Sequence, residues 1–423
     1  MHMYSIKALH GEKMDKKKLF WYIVLIEIIV ELLLLGLIFG VSRIKNNNVG
    51  TINIDNSNGK NDSINKEHKS DDSKDNNNSN DKSSDNNTSQ DKSFIKWVDF
   101  KVSSEALKDA CFYDVESYYG RVGRNNNFDL MSETGQKVEK SENKNIRINW
   151  IELLAYLACG YGGDFKNYKK SHMEKLVERL KNGEKIDDIT KDLRYYSYYR
   201  EAYEAVLSGM VGKFNLGGEE KYGLKAFFPL AKNFPFSHYD DFGVSREYGY
   251  KRRHLGHDMM GQVGTPVVAC ESGYVEAIGW NQYGGWRIGI RSFDKKRYYY
   301  YAHLRKNFPY NKSLKEGSVV TAGDVIGYMG RTGYSRNENV NNINTSHLHF
   351  GIQLIFDESQ KEGNGEIWIN CYEIVKFLYA NRSETVKNME TKEYSRVVDM
   401  VDPSVEKYIK KLQKKREITN SVN

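Results

Sequence analysis

The sequence is poor in cysteine, and the four cysteines among its 423 residues are widely separated. No two of them have the Cys-x-x-Cys spacing of structural zinc sites, and they are too few and too scattered for a dense disulfide framework. This argues against a cysteine-ligated metal site and against a disulfide-stapled scaffold. We predict that Cys111, Cys159, Cys270 and Cys371 are small buried side chains.

A compact patch of interleaved basic and aromatic residues is also missing, although the formal net charge is +7 at pH 7. Without such a patch, a modest positive charge does not predict nucleic-acid binding. The charge suits an anionic cell envelope instead, and we expect no nucleic-acid partner.

One apolar run stands out in this polar sequence, at residues 19–41. Its length matches the roughly 20 residues that a helix needs to span a bilayer. Lysines cluster within residues 1–18, which predicts a cytoplasmic N-terminus, and no small-x-small cleavage site follows the run. We therefore expect an uncleaved single-pass anchor in the cell membrane, with the later domains outside the membrane.

Two carboxyl groups inside this span, Glu27 and Glu31, lie four residues apart and therefore share one helix face. A carboxylate near the centre of a bilayer costs on the order of 2.5 to 3.5 kcal/mol. Either the two side chains contact a partner helix or envelope protein, or a strongly apolar anchor tolerates them in the protonated form.

Residues 46–93 are rich in Asn, Ser, Asp and Lys and nearly free of large apolar side chains. Such a segment cannot bury enough surface to fold, so we expect a disordered tether with an r.m.s. span of roughly 35–40 Å. That reach is enough to hold the following domains off the membrane and toward a cell wall.

Apolar residues then recur at helical spacing, at residues 150–157, 173–180 and 195–207. This pattern predicts an α-helical domain over residues 96–214, with enough apolar residues for an independent core. The sequence does not indicate the function of this domain. The last segment, residues 381–423, is predicted to be a charged tail with a short basic helix. The sequence leaves open whether that helix docks on the core or on an anionic surface.

Histidine is scarce, yet five of the ten histidines fall within one stretch of about a hundred residues. Three segments carry them: Arg253-His254-Leu255-Gly256-His257-Asp258, Tyr301-Ala302-His303-Leu304 and Ser346-His347-Leu348-His349-Phe350. Two histidines and a carboxylate suit a catalytic zinc site, which keeps three protein ligands and leaves the fourth position for water. Water at that position has a pKa of about 7 and can act as a hydroxide nucleophile.

The spacing of these residues constrains the backbone. His347 and His349 lie in an apolar, branched stretch typical of a strand, so their side chains share a face with Cα atoms roughly 6.5 Å apart. One ring can then bind the metal while the other reaches the water or the substrate. On a straight strand His254 and Asp258 would be about 13 Å apart, so a bend near Gly256 is required.

With these motifs in this order, the region resembles the M23 family of zinc peptidases, the LytM/lysostaphin-type cell-wall endopeptidases. The similarity runs from about residue 246 to 378, within a domain that we bound at residues 235–380. The shared motifs are His254-Leu255-Gly256-His257-Asp258-Met259, Gly264-Thr265-Pro266-Val267, Gly273-Tyr274-Val275, Tyr301-Ala302-His303-Leu304, Gly323-Asp324-Val325-Ile326-Gly327, Gly330-Arg331-Thr332-Gly333 and His347-Leu348-His349-Phe350. The resemblance implies a small, mostly antiparallel β-domain with a groove whose floor carries the zinc.

The resemblance also implies a role for each of five residues. His254, Asp258 and His349 become the ligands of one zinc ion per chain. His303 and His347 fall on the family's two non-ligand catalytic histidines, which orient water, transfer protons or stabilise the oxyanion.

The sequence therefore predicts a multidomain protein with an N-terminal transmembrane helix, a disordered linker, an α-helical domain and a C-terminal domain of the M23/LytM type. Its predicted activity is hydrolysis of peptide bonds in peptidoglycan. The alternative is a catalytically idle scaffold of the same family that binds a partner protein in the envelope. The loop at residues 334–345 is longer than a minimal family loop, and a further polar segment at residues 357–366 follows the His347–His349 strand. Because such loops border the groove, the cleaved bond stays open: a glycine bridge, a D-Ala-linked cross-link or a stem-peptide bond.

Overall fold

The computed structural model describes four stretches of the chain: residues 100–120, 146–247, 251–361 and 366–422. The predicted cytoplasmic residues 1–18, the anchor at 19–41 with Glu27 and Glu31, and the tether at 46–93 lie outside these stretches. Within the described stretches, no helix combines the length and the apolar character needed to cross a membrane.

Helices occupy the first part of the described chain. They are α1 Ser104–Tyr118, α2 Trp150–Tyr161, α3 Lys170–Lys181, α4 Ile186–Thr190 and α5 Tyr196–Leu207, with a 3-10 turn at Phe165–Asn167. Side-chain caps begin two of them, because Ser103 accepts a hydrogen bond from the Ala106 amide and Asn149 accepts one from the Ile151 amide. The predicted helical domain is present, but its helices end at Leu207, before the predicted boundary at 214.

Short strands make up most of the remainder. They are β1 Val211–Leu216, β2 Glu219–Leu224, β3 Phe236–His238, β4 Ser245–Glu247, β5 Lys251–Arg253, β6 His257–Gly261, β7 Pro266–Val268, β8 Gly273–Asn281, β9 Gly285–Ser292, β10 Arg297–Ala302, β11 Val319–Val320, β12 Val325–Tyr328, β13 His347–Leu354, β14 Ile367–Ile369, β15 Thr385–Lys387, β16 Tyr394–Arg396 and β17 Met400–Val401. A 3-10 turn at Glu358–Lys361 and the helices α6 Tyr372–Leu378 and α7 Pro403–Val422 complete the described elements.

The largest sheet has eight strands in the order β11-β8-β9-β10-β13-β6-β3, with β14 also paired to β13. Every pairing in it is antiparallel, which confirms the predicted mostly antiparallel β-domain. Alternation along β10 and β13 sends apolar side chains to one face and the histidine and tyrosine side chains considered below to the other.

The helices share their core with the sheet. The ring of Trp150 in α2 lies 5.9 Å from that of Phe377 in α6, and the Ser104 amide donates to the Glu373 carboxylate at 2.6 Å. Buried side chains of α1, α2 and α5 belong to the same apolar cluster as those of β13 and α6. The prediction that the helices form an independent core is therefore wrong, because the β-domain covers part of their apolar surface.

The C-terminal segment is also built into the core. Strand β17 pairs with β1, and the buried carboxylate of Asp402 accepts hydrogen bonds from the Lys225 ammonium at 2.9 and 3.0 Å. Helix α7 has 20 residues and is longer than the short helix predicted for this tail. It docks on the core through Tyr408, whose ring stacks on those of Tyr274 and Phe293.

The four cysteines are free thiols. Three of them are buried as predicted, and Cys159 is half-buried in α2. Burial raises the pKa of the Cys371 and Cys111 thiols above their usual range, so these two groups are small packing residues.

Candidate metal centre

Adjacent strands of the large sheet bring the predicted ligands together. Asp258 lies in β6, His349 lies in β13, and the antiparallel register sets these two residues directly opposite each other. Directly opposed residues project to the same side of a sheet, so their side chains meet. His254 precedes β6 and reaches the same point because the chain bends at residue 256.

The bend depends on glycine. A Cβ atom at Gly256 would lie 2.5 Å from Nε2 of His349 and 2.9 Å from the backbone oxygen of Phe350. No other residue can therefore pass beneath the His349 ring at this distance. The sequence predicted this bend from the His254–Asp258 spacing alone, and the structure confirms it.

Three ligand atoms converge on one point. Nε2 of His254 lies 3.0 Å from Oδ1 of Asp258 and 3.1 Å from Nδ1 of His349. The third separation, from Nδ1 of His349 to Oδ1 of Asp258, is 2.8 Å. A tetrahedral zinc ion with bonds of about 2.0–2.1 Å holds its ligand atoms roughly 3.3 Å apart, so this donor set fits such an ion to within about half an ångström.

A second layer orients the donors. Nδ1 of His254 faces two acceptors of Asp241, the backbone oxygen at 3.3 Å and the carboxylate Oδ1 at 3.0 Å. When a metal replaces the proton on Nε2, the backbone oxygen can hold the remaining ring proton on Nδ1, and the Nε2 lone pair is then directed at the metal point. Arg246 binds Oδ2 of Asp258 at 2.9 Å and also pairs with Asp241. Sequence reasoning missed Asp241 and Arg246, because nothing in their local pattern separates them from other surface charges.

The cluster has the charge pattern of a cation site. Burial lowers the pKa of His254, but the neighbouring carboxylates of Asp241 and Asp258 outweigh burial and raise that pKa to about 9. Burial raises the pKa of Asp258, but its hydrogen bonds to His254 and His349 outweigh this and hold the pKa far below its usual range. Burial lowers the pKa of His349. The centre thus combines a fully ionised carboxylate with imidazole nitrogens, which is a donor set suited to a divalent metal.

The two predicted catalytic histidines lie beside this centre. The His303 ring is 4.8 Å from that of His347 and 5.8 Å from that of His349 between centroids. Nδ1 of His303 lies 2.9 Å from the backbone oxygen of Thr332, and Nδ1 of His347 lies 2.9 Å from that of Thr345. Each ring therefore donates its Nδ1 proton to a carbonyl, which leaves Nε2 available for proton transfer.

His303 occupies strained backbone. Its φ is 61°, in the left-handed region that non-glycine residues rarely adopt, at the first position after β10. Such a residue costs of order 1–3 kcal/mol and persists only where its surroundings hold it. The His303 amide donates to the Gly284 oxygen at 2.7 Å, and the Thr332 hydroxyl donates to the Leu304 oxygen at 2.6 Å. These two bonds hold the ring in place, and burial keeps the pKa of His303 well below its usual value, so the ring is neutral.

A groove of about 600 Å³ runs from the metal point across the sheet. Its floor is shallow because aromatic rings lie over strand positions that lack a side chain. A Cβ atom at Gly289 would lie 1.9 Å from the Tyr298 hydroxyl, and one at Gly351 would lie 2.7 Å from the Trp368 ring. Tyr334, from the longer of the two loops noted in the sequence, contributes to the rim.

Comparison with known proteins identifies this region. Residues 252–363 match the model of peptidase family M23. Over 173 residues the chain is 35% identical to the L-Ala--D-Glu endopeptidase of Bacillus subtilis, which covers 41% of this chain and 51% of that protein. Over 98 residues it is 41% identical to lysostaphin of Staphylococcus simulans, which covers 23% of this chain and 17% of that protein.

A solved structure is also among the proteins that the chain resembles in sequence. The catalytic domain of lysostaphin from Staphylococcus simulans is 31% identical over 33% of this chain and 92% of that chain, with a TM-score of 0.26. The chain spans about half the length of the Bacillus subtilis relative and about a sixth of the full lysostaphin sequence. Both stretches of similarity are therefore parts of longer proteins. The metal-centre residues and both further histidines fall inside residues 252–363, and this part of the chain is a domain of the M23 peptidase family, of the LytM/lysostaphin type.

Proposed function

We propose that this protein is a zinc endopeptidase that hydrolyses peptide bonds of peptidoglycan. The observation that carries the proposal is the convergence of the His254, Asp258 and His349 donor atoms in an open groove, next to two further imidazoles. Two relatives add support, since the Bacillus subtilis protein is an L-Ala--D-Glu endopeptidase and a further relative, from Staphylococcus capitis, is a glycyl-glycine endopeptidase. Bonds of both kinds occur in the peptides of bacterial walls.

The side chains around the centre have separable roles. Zinc, when bound by the three donors, supplies Lewis-acid activation of water and of the scissile carbonyl. His303 and His347 present Nε2 atoms that accept a proton from the nucleophile, return one to the leaving amine or stabilise the oxyanion. Asp241 holds the His254 ring in the tautomer that the metal requires. The aromatic floor supports an extended peptide.

An idle scaffold is the rival function. Binding a partner requires neither three converging donors nor two further imidazoles beside them whose Nδ1 atoms are held by backbone carbonyls. It also gives no reason to hold His303 in strained backbone. These features favour catalysis over a purely structural role.

Metal analysis and wall digestion test the proposal together. We expect one zinc per chain and new amino termini released from purified cell wall, with activity lost on chelation and restored by zinc. The zinc-loaded His347→Ala variant is the matched control for contaminating hydrolases. A folded, zinc-loaded wild-type chain that releases no amino termini from walls of several bridge chemistries would leave the scaffold as the better explanation.

The proposed location is the outer side of the cell membrane, with residues 19–41 as the anchor. Protease added to intact protoplasts should cut first within residues 46–93 and release the later domains. Protection of the C-terminal half in intact protoplasts, with digestion only after lysis, would reverse the orientation and leave a wall substrate out of reach.

A further inference from the structure

Arg287 is a cation of the groove that has no ion pair with any residue that the structure describes. It lies in β9, is half-buried and lines the groove. Its Nη1 atom is shielded from solvent and has no hydrogen-bond partner among the described residues. A partly buried charge without a counter-charge costs free energy, so its presence at this position calls for an explanation.

Other buried or half-buried cations in or near the groove are paired. Arg291, a buried cation of the same strand β9 that does not line the groove, binds Glu276 and Glu358, each at 3.1 Å. Lys361 binds the same Glu276 at 2.9 Å, and Arg246 pairs with the carboxylates around the metal point. Arg253 has no ion pair among the described residues, but its side chain is exposed and therefore hydrated. Arg287 differs from them because it is both partly dehydrated and unpaired.

The sheet register sets Arg287 close to the chemistry. Tyr301 of β10 pairs with Ile288 on one side and with Phe350 on the other. The next residue of each strand points to the opposite face of the sheet, which is the face that carries the groove. On that face Arg287 of β9 and His349 of β13 lie on either side of β10. Two strand spacings of about 4.8 Å separate their Cα atoms by roughly 10 Å, the length of about three extended residues. Because an arginine side chain is long, its guanidinium can lie closer to the metal point than the Cα separation indicates. Arg287 can therefore contact one of the two substrate residues that flank the scissile bond.

We propose that Arg287 binds a carboxylate of the substrate, so that the groove selects a peptide with an acidic residue next to the cleaved bond. The inference rests on the proposed peptidase function and narrows its substrate class. A guanidinium presents a planar fork of N–H donors that matches a carboxylate, and this pairing gives geometric selectivity as well as affinity. A peptide made only of glycine has no side-chain carboxylate and leaves Arg287 unpaired.

Matched peptides test the subsite. Two of the substrates are synthetic peptides of identical sequence except at the residue next to the expected scissile bond, which is Glu in one and Gln in the other. The third substrate is a peptide made only of glycine. The zinc-loaded full chain should cleave the Glu peptide with a kcat/KM about 10- to 100-fold above that for the Gln peptide. Arg287→Gln should remove this preference by losing activity on the Glu peptide alone. Arg287→Lys should retain part of it, because the charge remains but the fork is lost.

Arg253→Gln is the control variant, since it removes an exposed cation from the same groove and should keep the Glu preference within about threefold. Wild-type cleavage of both peptides at equal rates would overturn the subsite. An equal loss on both peptides in Arg287→Gln, together with a lower melting temperature, would make Arg287 a structural residue and would overturn it as well.

Equilibrium binding separates this inference from the proposed function. The same peptides are titrated into the zinc-loaded His347→Ala chain and into the His347→Ala, Arg287→Gln double variant. Tighter binding of the Glu peptide that depends on Arg287 supports the subsite even if the wild-type chain cleaves nothing, in which case only the peptidase function fails. Efficient cleavage of the glycine-only peptide, with equal binding of the Glu and Gln peptides, leaves the peptidase function standing and removes the subsite.

Discussion

Two clusters of buried charge lie on the same β-sheet and differ in how their polar atoms are arranged. One pairs each hydrogen-bond donor with an acceptor, and the other directs several metal-binding atoms at one point. In the first, the Arg297 guanidinium of β10 has an acceptor for every nitrogen: both Glu271 carboxylate oxygens at 2.9 and 3.0 Å, the Ala205 backbone oxygen at 3.1 Å and Asp294 at 3.0 Å. The Tyr299 hydroxyl donates to Glu271 at 2.6 Å and completes the set. This cluster is closed, since each donor meets an acceptor.

The second cluster is the metal centre. Here the His254 Nε2 atom, the His349 Nδ1 atom and a carboxylate oxygen of Asp258 face one another at 2.8 to 3.1 Å. A proton can bridge any two of these atoms, whereas one metal cation can bind all three at once. Burial of charge is common to both clusters and does not identify function. The difference is that the first cluster pairs donors with acceptors, and the second directs several metal-binding atoms at one point.

Loss of a metal ligand should have the largest effect. We expect His254→Ala, Asp258→Ala and His349→Ala each to fold, to bind less than about a tenth of the wild-type zinc and to lose turnover at least about 10³-fold, because a three-ligand site has no spare donor. Metal content and peptide hydrolysis are measured on the same samples. Full zinc in His349→Ala, with zinc lost in His347→Ala, would invert the assignment within the His-x-His pair.

The next largest effect should come from the two histidines that contact no metal. His303→Ala and His347→Ala should keep stoichiometric zinc and lose about 10²- to 10⁴-fold in kcat, because proton transfer is removed while the ion remains. Circular dichroism and metal analysis serve as controls for folding. Wild-type rates in both variants would exclude these rings from the mechanism and weaken the distinction between ligands and catalysts.

The closed cluster should respond in stability instead of turnover. Arg297→Met leaves the Glu271 carboxylate buried without a counter-charge, with only the Tyr299 hydroxyl donating to it, and we expect a loss of about 3–5 kcal/mol in the free energy of unfolding. The double variant Arg297→Met, Glu271→Gln should recover part of this loss, because the uncompensated charge is removed. Urea unfolding measures the difference. Zinc content and kcat of the folded protein should be unchanged, and a loss of zinc in Arg297→Met would mean that the two clusters are coupled.

The smallest effect should come from the layer behind the metal. Asp241→Asn should lower zinc affinity about 10- to 100-fold without abolishing binding, since it weakens the hold on the His254 tautomer and leaves all three ligands in place. Competition with a chelator measures the affinity. Ser335→Ala, a change in the exposed part of the nearby loop, is the control. Unaltered affinity in Asp241→Asn would show that the register of β6 and β13 alone organises the site.

The chemistry-bearing residues were predictable because local chain geometry determines them. A period of two in a strand puts His347 and His349 on one face, and a spacing of four demands a bend between His254 and Asp258. The order of the motifs, together with the resemblance to a known family, then separated the ligands from His303. The antiparallel β-domain and the presence of helices before it followed from the same kind of periodic pattern.

Tertiary structure alone decided which groups serve these residues. Asp241 and Arg246 support the candidate centre, and Thr332 holds the His303 ring, only because segments distant in sequence pack beside them. Packing between distant segments also determined that the helices and the sheet share one core. Helical spacing shows that a face is apolar but not which element covers it. Periodicity along a chain is a local property, whereas a partner across the fold is selected by packing, and single residues at such contacts leave no pattern in the sequence.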